Sequence, residues 1–278
     1  MKLFKLFTIL ITTICFVLII TTTGCGQKFN FSNELTGTLT ILGSSSMQEV
    51  CDALAEEFMK AHPKIEVIKS GAGSAQATHA VLNHTAQIGD LSRPLSIEEK
   101  PEKFDCHKIA IDGIAVCVNN KNKVTNLSEK QLNQIFTGKI KNWSEVNGPN
   151  KPIIVIGRDE ASGTKSSFEE EINAKDKCIY SIEQDSNGKV KEKIKNDPDT
   201  IGYISFSSVD ETIKPLNINH ATPNFENITN STYKLFHPFI QIVEKNSHDE
   251  LINAWFKFVK SKQGQNLIKA AKLLPIYE

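Results

Sequence analysis

Arg158-Asp159-Glu160-Ala161-Ser162-Gly163-Thr164 stands between an apolar, strand-like run, Ile153-Ile154-Val155-Ile156-Gly157, and a helix-like segment over 165–172. Ser162 and Thr164 are residues that cap a helix start, and Gly163 lets a neighbouring backbone approach closely. The first N–H groups of a helix have no partner within it and sit at its positive end, so a turn of this kind gathers anions. Arg158 adds a planar, permanently charged fork beside it. Taken alone, the stretch reads equally as an ordinary capped helix with a surface arginine, because short motifs have low specificity. Its weight comes from repetition.

The same grammar occurs twice before it. Thr38-Leu39-Thr40-Ile41-Leu42 alternates like a strand and ends in Gly43-Ser44-Ser45-Ser46-Met47. An amphipathic helix follows to about Ala61, with Val50, Leu54 and Phe58 on its apolar face. His62-Pro63 stops that helix. Ile65-Glu66-Val67-Ile68 is a second strand, followed by Ser70-Gly71-Ala72-Gly73-Ser74 and a helix over 75–83. Three strand, turn, helix units in one α/β chain are expected to converge where strand ends meet. Neither a dinucleotide fingerprint nor a Walker loop is present. Gln76 occupies the place of the third glycine of the first motif, and Thr164 interrupts the Gly-Lys pair of the second.

Other stretches add candidates. Residues 86–95 read as a short strand breaking into a turn with Ser92 and Arg93, where surface salt bridging is the plain role for the arginine. Residues 109–118 form a long buried strand bearing one carboxylate, Asp112, which costs free energy unless paired. It reads equally as a site residue or as a partner for backbone at a hinge. Ser128-Glu129-Lys130-Gln131 is a capping box, Trp143 belongs in the core, and Asn187-Gly188 marks a turn before a charged helix to about Asn196. The stripe Leu251, Ile252, Trp255, Phe256, Val259 is the inner face of an amphipathic helix over 247–260.

The chain opens Met1-Lys2-Leu3-Phe4-Lys5, stays apolar to Ile20 and reaches Gly24-Cys25 after small residues. A basic start, an apolar run shorter than the roughly 20 residues that span a bilayer, and small residues at the end are the three parts of a secretory leader. It looks like a lipoprotein signal, with Cys25 the lipidated first mature residue. Basic and acidic residues number 32 each, and losing Lys2 and Lys5 with the leader leaves the mature chain slightly acidic. No basic field exists for nucleic acid. Of six cysteines, Cys51, Cys106, Cys117 and Cys178 fall in the folded part at spacings of neither zinc nor redox motifs, and are expected as buried small hydrophobes. No histidine pair is spaced for metal, and no nucleophile elbow accompanies the serines.

Together these stretches resemble the phosphate-binding lipoproteins of phosphate ABC importers, in their shorter form. The residues that carry the resemblance are Gly43-Ser44-Ser45-Ser46-Met47, Gly71-Ala72-Gly73-Ser74, Ile88-Gly89 with Ser92-Arg93, Ala110-Ile111-Asp112-Gly113-Ile114-Ala115-Val116, Ile135-Phe136-Thr137-Gly138-Lys139-Ile140 with Asn142-Trp143-Ser144, Ser162-Gly163-Thr164 and Ile201-Gly202-Tyr203-Ile204-Ser205. The resemblance implies an α/β fold of the periplasmic-binding-protein type, a two-lobed clamshell of mixed sheets flanked by helices with the ligand between the lobes. Its implied division is a signal peptide over 1–24, a lipidated tether over 25–36, one lobe over 37–112 plus 206–278, and the other over 113–205.

It further implies a membrane-tethered, monomeric, non-enzymatic receptor on the extracytoplasmic face that takes no cofactor or metal and delivers inorganic phosphate to permease and ATPase subunits. The rival expectations are a receptor of the same fold for molybdate, tungstate or sulfate, a phosphatase, and a sensor without transport. The expected ligand residues are Ser45, Ser46, Ser74, Ser92, Arg93, Asp112, Arg158, Glu160, Ser162, Gly163 and Thr164. Some relatives carry an aspartate at the place of Ser92, so the acceptor for a phosphate proton is expected from Asp112 or from Glu160, Asp112 being favoured.

Overall fold

The computed structural model describes residues 35–277. The leader, Cys25 and the tether as far as residue 34 lie outside the described residues. The chain runs β1 (Gly37–Gly43), α1 (Gln48–Ala61), β2 (Ile65–Ser70), α2 (Ser74–Leu82), β3 (Ile88–Leu91), β4 (Phe104–Asn119), β5 (Asn126–Leu127), α3 (Glu129–Phe136), β6 (Ile154–Arg158) and α4 (Gly163–Glu171). It continues through β7 (Ile182–Gln184), α5 (Asn187–Asn196), β8 (Thr200–Ser205), β9 (Ile213–Pro215), β10 (Asn217–Ile218), α6 (Phe225–Thr229), β11 (Phe236–Glu244), α7 (Glu250–Val259), α8 (Lys262–Ala270) and β12 (Leu274–Pro275). The expected order of elements holds, with ends shifted by a few residues.

The 16-residue β4 organises the sheet. Its first part, to Gly113, pairs antiparallel with β11, and from Ile114 it pairs antiparallel with β8. Beyond β11 the order is β3, β1, β2, with β1 parallel to both its neighbours; beyond β8 it is β6, β7, also parallel. One mixed sheet thus holds two parallel wings joined through a single strand. All six residues of β8 are buried, the pattern of a strand covered on both faces.

Each wing has its own apolar core. Leu39, Ile41, Phe58, Trp255 and Val259 belong to one, where the Phe58 and Trp255 rings meet edge to face at 5.4 Å. Val116, Phe136, Trp143, Phe168 and Tyr203 belong to the other. Trp143 is buried as expected, its indole N–H donating to the Asp199 carbonyl at 3.0 Å. Leu216, Ile218, Ile228, Tyr233 and Leu235 pack in this second core, although the expected division returned the chain to the first lobe after Ser205. Strand pairing with the first wing resumes only at Phe236. The reason is local: β9 pairs with the far end of β4 and β10 with β5, which holds the connection on the second wing.

The described cysteines are free thiols, but only Cys51 and Cys117 are buried; Cys106 is exposed and Cys178 half-buried. Cys106 lies in the amphipathic first third of β4, where alternate side chains face solvent, so the expectation of four buried cysteines fails there.

Cys51 belongs to a buried polar chain beneath β3. Its thiol donates to Asp90 Oδ2 at 3.3 Å, Gln241 Nε2 donates to Asp90 Oδ1 at 2.9 Å, and Trp255 Nε1 donates to Gln241 Oε1 at 2.8 Å. Burial pushes the Asp90 carboxyl up from 3.8 to about 6, the bonds from Gln241 and Cys51 pulling the other way. A carboxyl whose folded value is raised favours the fold when protonated, so its contribution is full below about pH 4 and is lost as pH rises through 6. Asp90→Asn is therefore expected to flatten the stability profile between pH 4 and 6, gaining on the parent as pH rises. Urea unfolding at a series of pH values checks this; parallel profiles for the two proteins would refute it.

Candidate anion-binding site

Four helix starts point to one place, each delivered by a strand of one of the two parallel wings. After β1, Ser44 caps a short 3-10 turn, Ser45–Met47, its hydroxyl accepting from Ser46 N, and α1 continues from it. After β2, Gly73 precedes α2 at φ 93°, a conformation that favours glycine. A Cβ there would stand 2.7 Å from the Ala161 Cβ, so the second turn can lie against the third only as glycine. Backbone bonds lock this packing: Gly73 N donates to Gly43 O at 2.8 Å and Ala75 N to Ala161 O at 3.1 Å. After β6, Ser162 caps α4 by accepting from Lys165 N. After β7, Ser186 caps α5 in the same way.

Where the starts meet, hydroxyls crowd together. Ser46 Oγ lies 2.7 Å from Thr164 Oγ1 and accepts from Asn187 Nδ2 at 3.1 Å. Ser44 Oγ donates to Ser92 Oγ at 2.8 Å, and Ser92 Oγ lies 3.4 Å from both Ser74 Oγ and Thr164 Oγ1. A Cβ on Gly163 would come 2.4 Å from Ser74 Oγ and 2.6 Å from Ser92 Oγ, so α4 can start against this cluster only at a glycine. Ser44, Ser46, Ser74, Ser92, Ser162 and Thr164 are all buried. Hydroxyls donate or accept as needed, so the cluster adapts to whatever oxygen atoms it meets.

Arg158 ends β6 beside the cluster and is 1 % exposed. Nε donates to Gln184 O at 3.1 Å, Nη1 to Asn187 Oδ1 at 2.9 Å, and Nη2 to Ser45 Oγ at 3.1 Å and Asp185 O at 2.9 Å. Every one of these acceptors is neutral. Among the described residues no carboxylate forms an ion pair with this guanidinium, although desolvation pulls its pKa below the usual arginine value. A buried cation costs several kcal/mol unless its charge is compensated. Asp159 and Asp185 act on it only at a distance, so donors, positive helix ends and a buried cation without a direct carboxylate partner make a site that suits an anion with several oxygens.

Three expected residues stand apart from this cluster. Arg93 grips Glu99 through both nitrogens, at 2.6 and 2.8 Å, in the salt-bridging role its own stretch suggested. Glu160 turns outward, its side chain 90 % exposed and paired with Lys165, which also meets Glu183 at 3.0 Å. It neither enters the cluster nor holds Arg158. Glu160→Gln is accordingly expected to change anion affinity by less than about twofold, within the range of exposed ion pairs; a tenfold loss in calorimetric titration would contradict this placement.

Asp112 is fully buried at the point where β4 changes partners. Its Oδ2 accepts from Ser205 Oγ at 2.5 Å and faces His237 Nε2 at 2.9 Å, and its Oδ1 accepts from Ser207 N at 3.3 Å. It touches the hydroxyl cluster only through His237.

The sequence reading passed over Asn187 and His237. Asn187 was readable in principle, since Ile182-Glu183-Gln184, Ser186 and a helix repeat the strand, cap, helix grammar a fourth time. His237 was not, because histidines were weighed only for metal spacing. Among the described residues no group of side chains is arranged for a metal ion, and no helix is long and apolar enough to cross a membrane.

Comparison with known proteins gives consistent findings. A family model described as a PBP superfamily domain matches residues 31–263. The phosphate-binding protein PstS of Bacillus subtilis (strain 168) is 32 % identical over 241 residues, covering 84 % of this chain and 79 % of that protein. PstS of Borreliella burgdorferi is 26 % identical, covering 86 % and 90 %. A phosphate ABC transporter substrate-binding protein from Clostridium perfringens, crystallised with bound phosphate, superposes with a TM-score of 0.84 at 30 % identity, covering 86 % of this chain and all of that one. An ABC-type phosphate transport receptor from Vibrio cholerae gives 0.72 at 31 % identity, with the same coverage.

Proposed function

Because this chain belongs to the PBP superfamily, and within it to the PstS-type phosphate-binding proteins, we propose that the hydroxyl cluster beside Arg158 binds inorganic phosphate for delivery to an ABC importer. The observation that carries the reading is the guanidinium itself, buried and bonded only to neutral acceptors. An oxyanion among Ser45, Ser46, Ser74, Ser92, Ser162, Gly163 and Thr164 supplies the missing charge and accepts from hydroxyls, helix N-termini and Arg158 together. Binding, not catalysis, is the output. Relatives are named for what they bind, and the serines have no base beside them, His237 being turned to a backbone carbonyl and Asp112.

The two wings are the two lobes of the clamshell, one built from residues 37–112 with 236–278, the other from 113–235. The Ser46 to Thr164 bond is then a bond across the cleft. Titration calorimetry with phosphate, arsenate, sulfate and molybdate tests the ligand, and scattering with and without phosphate tests closure. Tighter binding of molybdate or sulfate than of phosphate would assign the same site to another oxyanion.

The receptor is held at the extracytoplasmic face of the membrane by a lipid on Cys25 and works as a monomer with its permease and ATPase subunits. Support comes from the leader pattern that ends at Gly24-Cys25. Cys25→Ala is expected to release the protein into the medium or the periplasmic fraction. A variant that stays in the membrane with an uncut N-terminus would replace the lipid anchor by a spanning one.

A further inference from the structure

His237 donates to none of the clustered hydroxyls, yet its ring bridges the cluster and the strand crossing. It lies on β11 directly opposite Asp112 on β4, and it is 1 % exposed. Nδ1 is 2.7 Å from the main-chain oxygen of Ser92, and Nε2 is 2.9 Å from Asp112 Oδ2. A peptide oxygen only accepts, so Nδ1 carries a proton. Asp112 is surrounded by donors, from Ser205 and Ser207. A bare Nε2 facing a bare carboxylate oxygen would set two acceptors against each other in the dark of the core, so one further proton lies between them. The ring is therefore a donor at Nδ1, and at Nε2 it shares one proton with the Asp112 carboxyl.

What this donor holds is the backbone of Ser92. Ser46, Ser74 and Thr164 sit in the first turns of helical segments, which fix their main chain. Ser92 has no helix behind it; it follows the last residue of β3 in a bend. Its main chain is fixed by side chains instead. Its carbonyl accepts from His237 Nδ1 and from Ser167 Oγ at 3.2 Å, and its N–H donates to Ser74 Oγ at 3.1 Å. Its hydroxyl is the one that approaches Ser44, Ser74 and Thr164 together.

We propose that His237, anchored by Asp112, is the positioning residue of the anion site, setting the Ser92 peptide and through it the hydroxyl at the middle of the cluster. The inference rests on reading the cluster as the phosphate site. Two amide side chains separate positioning from mere packing. Asparagine at 237 places its amide near Nδ1 and can still donate to Ser92 O; glutamine reaches the place of Nε2 and can donate only to Asp112.

Titration with inorganic phosphate is expected to show His237→Asn within about threefold of the parent and His237→Gln weaker by roughly tenfold, the worth of one lost hydrogen bond. A purely structural histidine predicts the same affinity change in both variants. Equal affinities, or the reverse order, would overturn the proposal. Should either variant fail to fold, nitrogen NMR of the parent decides: a proton on Nδ1 supports the assignment, and a bare Nδ1 ends it. A parent protein that does not bind phosphate at all would overturn the site reading rather than the role of His237.

Discussion

Arg158→Ala is expected to weaken phosphate binding by about 2–5 kcal/mol, the range seen when one partner of a buried, hydrogen-bonded charge pair is removed, which is roughly 30-fold to several thousandfold. The size follows from the setting. The side chain is 1 % exposed and gives its donors to Gln184, Asp185, Asn187 and Ser45, so it is already aimed and a ligand need not order it. Without anion, the same substitution is expected to cost little stability or to raise it, since the ligand-free fold bears the desolvation of a buried cation that no carboxylate contacts directly. Opposite signs on affinity and on ligand-free melting are the mark of a functional charge. Arg158→Lys restores charge without the planar fork and is expected to recover only part of the loss. Calorimetric titration beside ligand-free melting measures both; near-parental affinity in Arg158→Ala would make this arginine peripheral.

Asp112→Ala is expected to act on the fold before it acts on the ligand. Removing the carboxylate takes the acceptor from Ser207 N and His237 Nε2 and leaves Ser205 Oγ with Ser207 Oγ alone, and breaking a buried pair from one side costs about 3–5 kcal/mol. For a domain of this size each kcal/mol lowers Tm by about 2–4 °C, so a fall on the order of 6–20 °C is expected by scanning calorimetry. Asp112→Asn keeps an oxygen for Ser207 and should fall less. A melting point unchanged in Asp112→Ala would show that the three donors find other partners.

The same residue marks where sequence reasoning stopped. A carboxylate in an apolar strand must have partners, which the sequence states; whether they are a ligand or the protein's own donors depends on Ser205, Ser207 and His237, which lie more than 90 residues away along the chain. Strand, Ser/Gly turn and helix form a local pattern, and so β1 to α2 and β6 to α4 were legible, as was the convergence of Ser46, Ser74 and Thr164. Glu160 was misplaced because adjacency to Arg158 says nothing of side-chain direction. The two point to opposite sides of the turn, and Lys165, one helical turn on, captures the glutamate. The return of the chain to the first wing was misplaced for a similar reason, since β9 and β10 are too short to show a period and are held by pairing alone.

The insertion of β11 between β3 and β4 has a consequence for how the chain is made. Residues 88–91 and 104–113 are synthesised early but are not neighbours in the sheet; each waits for residues 236–244 to fill the gap between them. Until that late strand arrives, β3 presents an open edge and the front half of β4 lacks its partner, and pairing over such sequence distance is slow because a long loop must close first. A nascent chain emerging N-terminus first therefore cannot finish its first wing before its last quarter has left the ribosome. Such an order of assembly leaves any product truncated before residue 236 with a bare strand edge on β3, open to pairing with another chain.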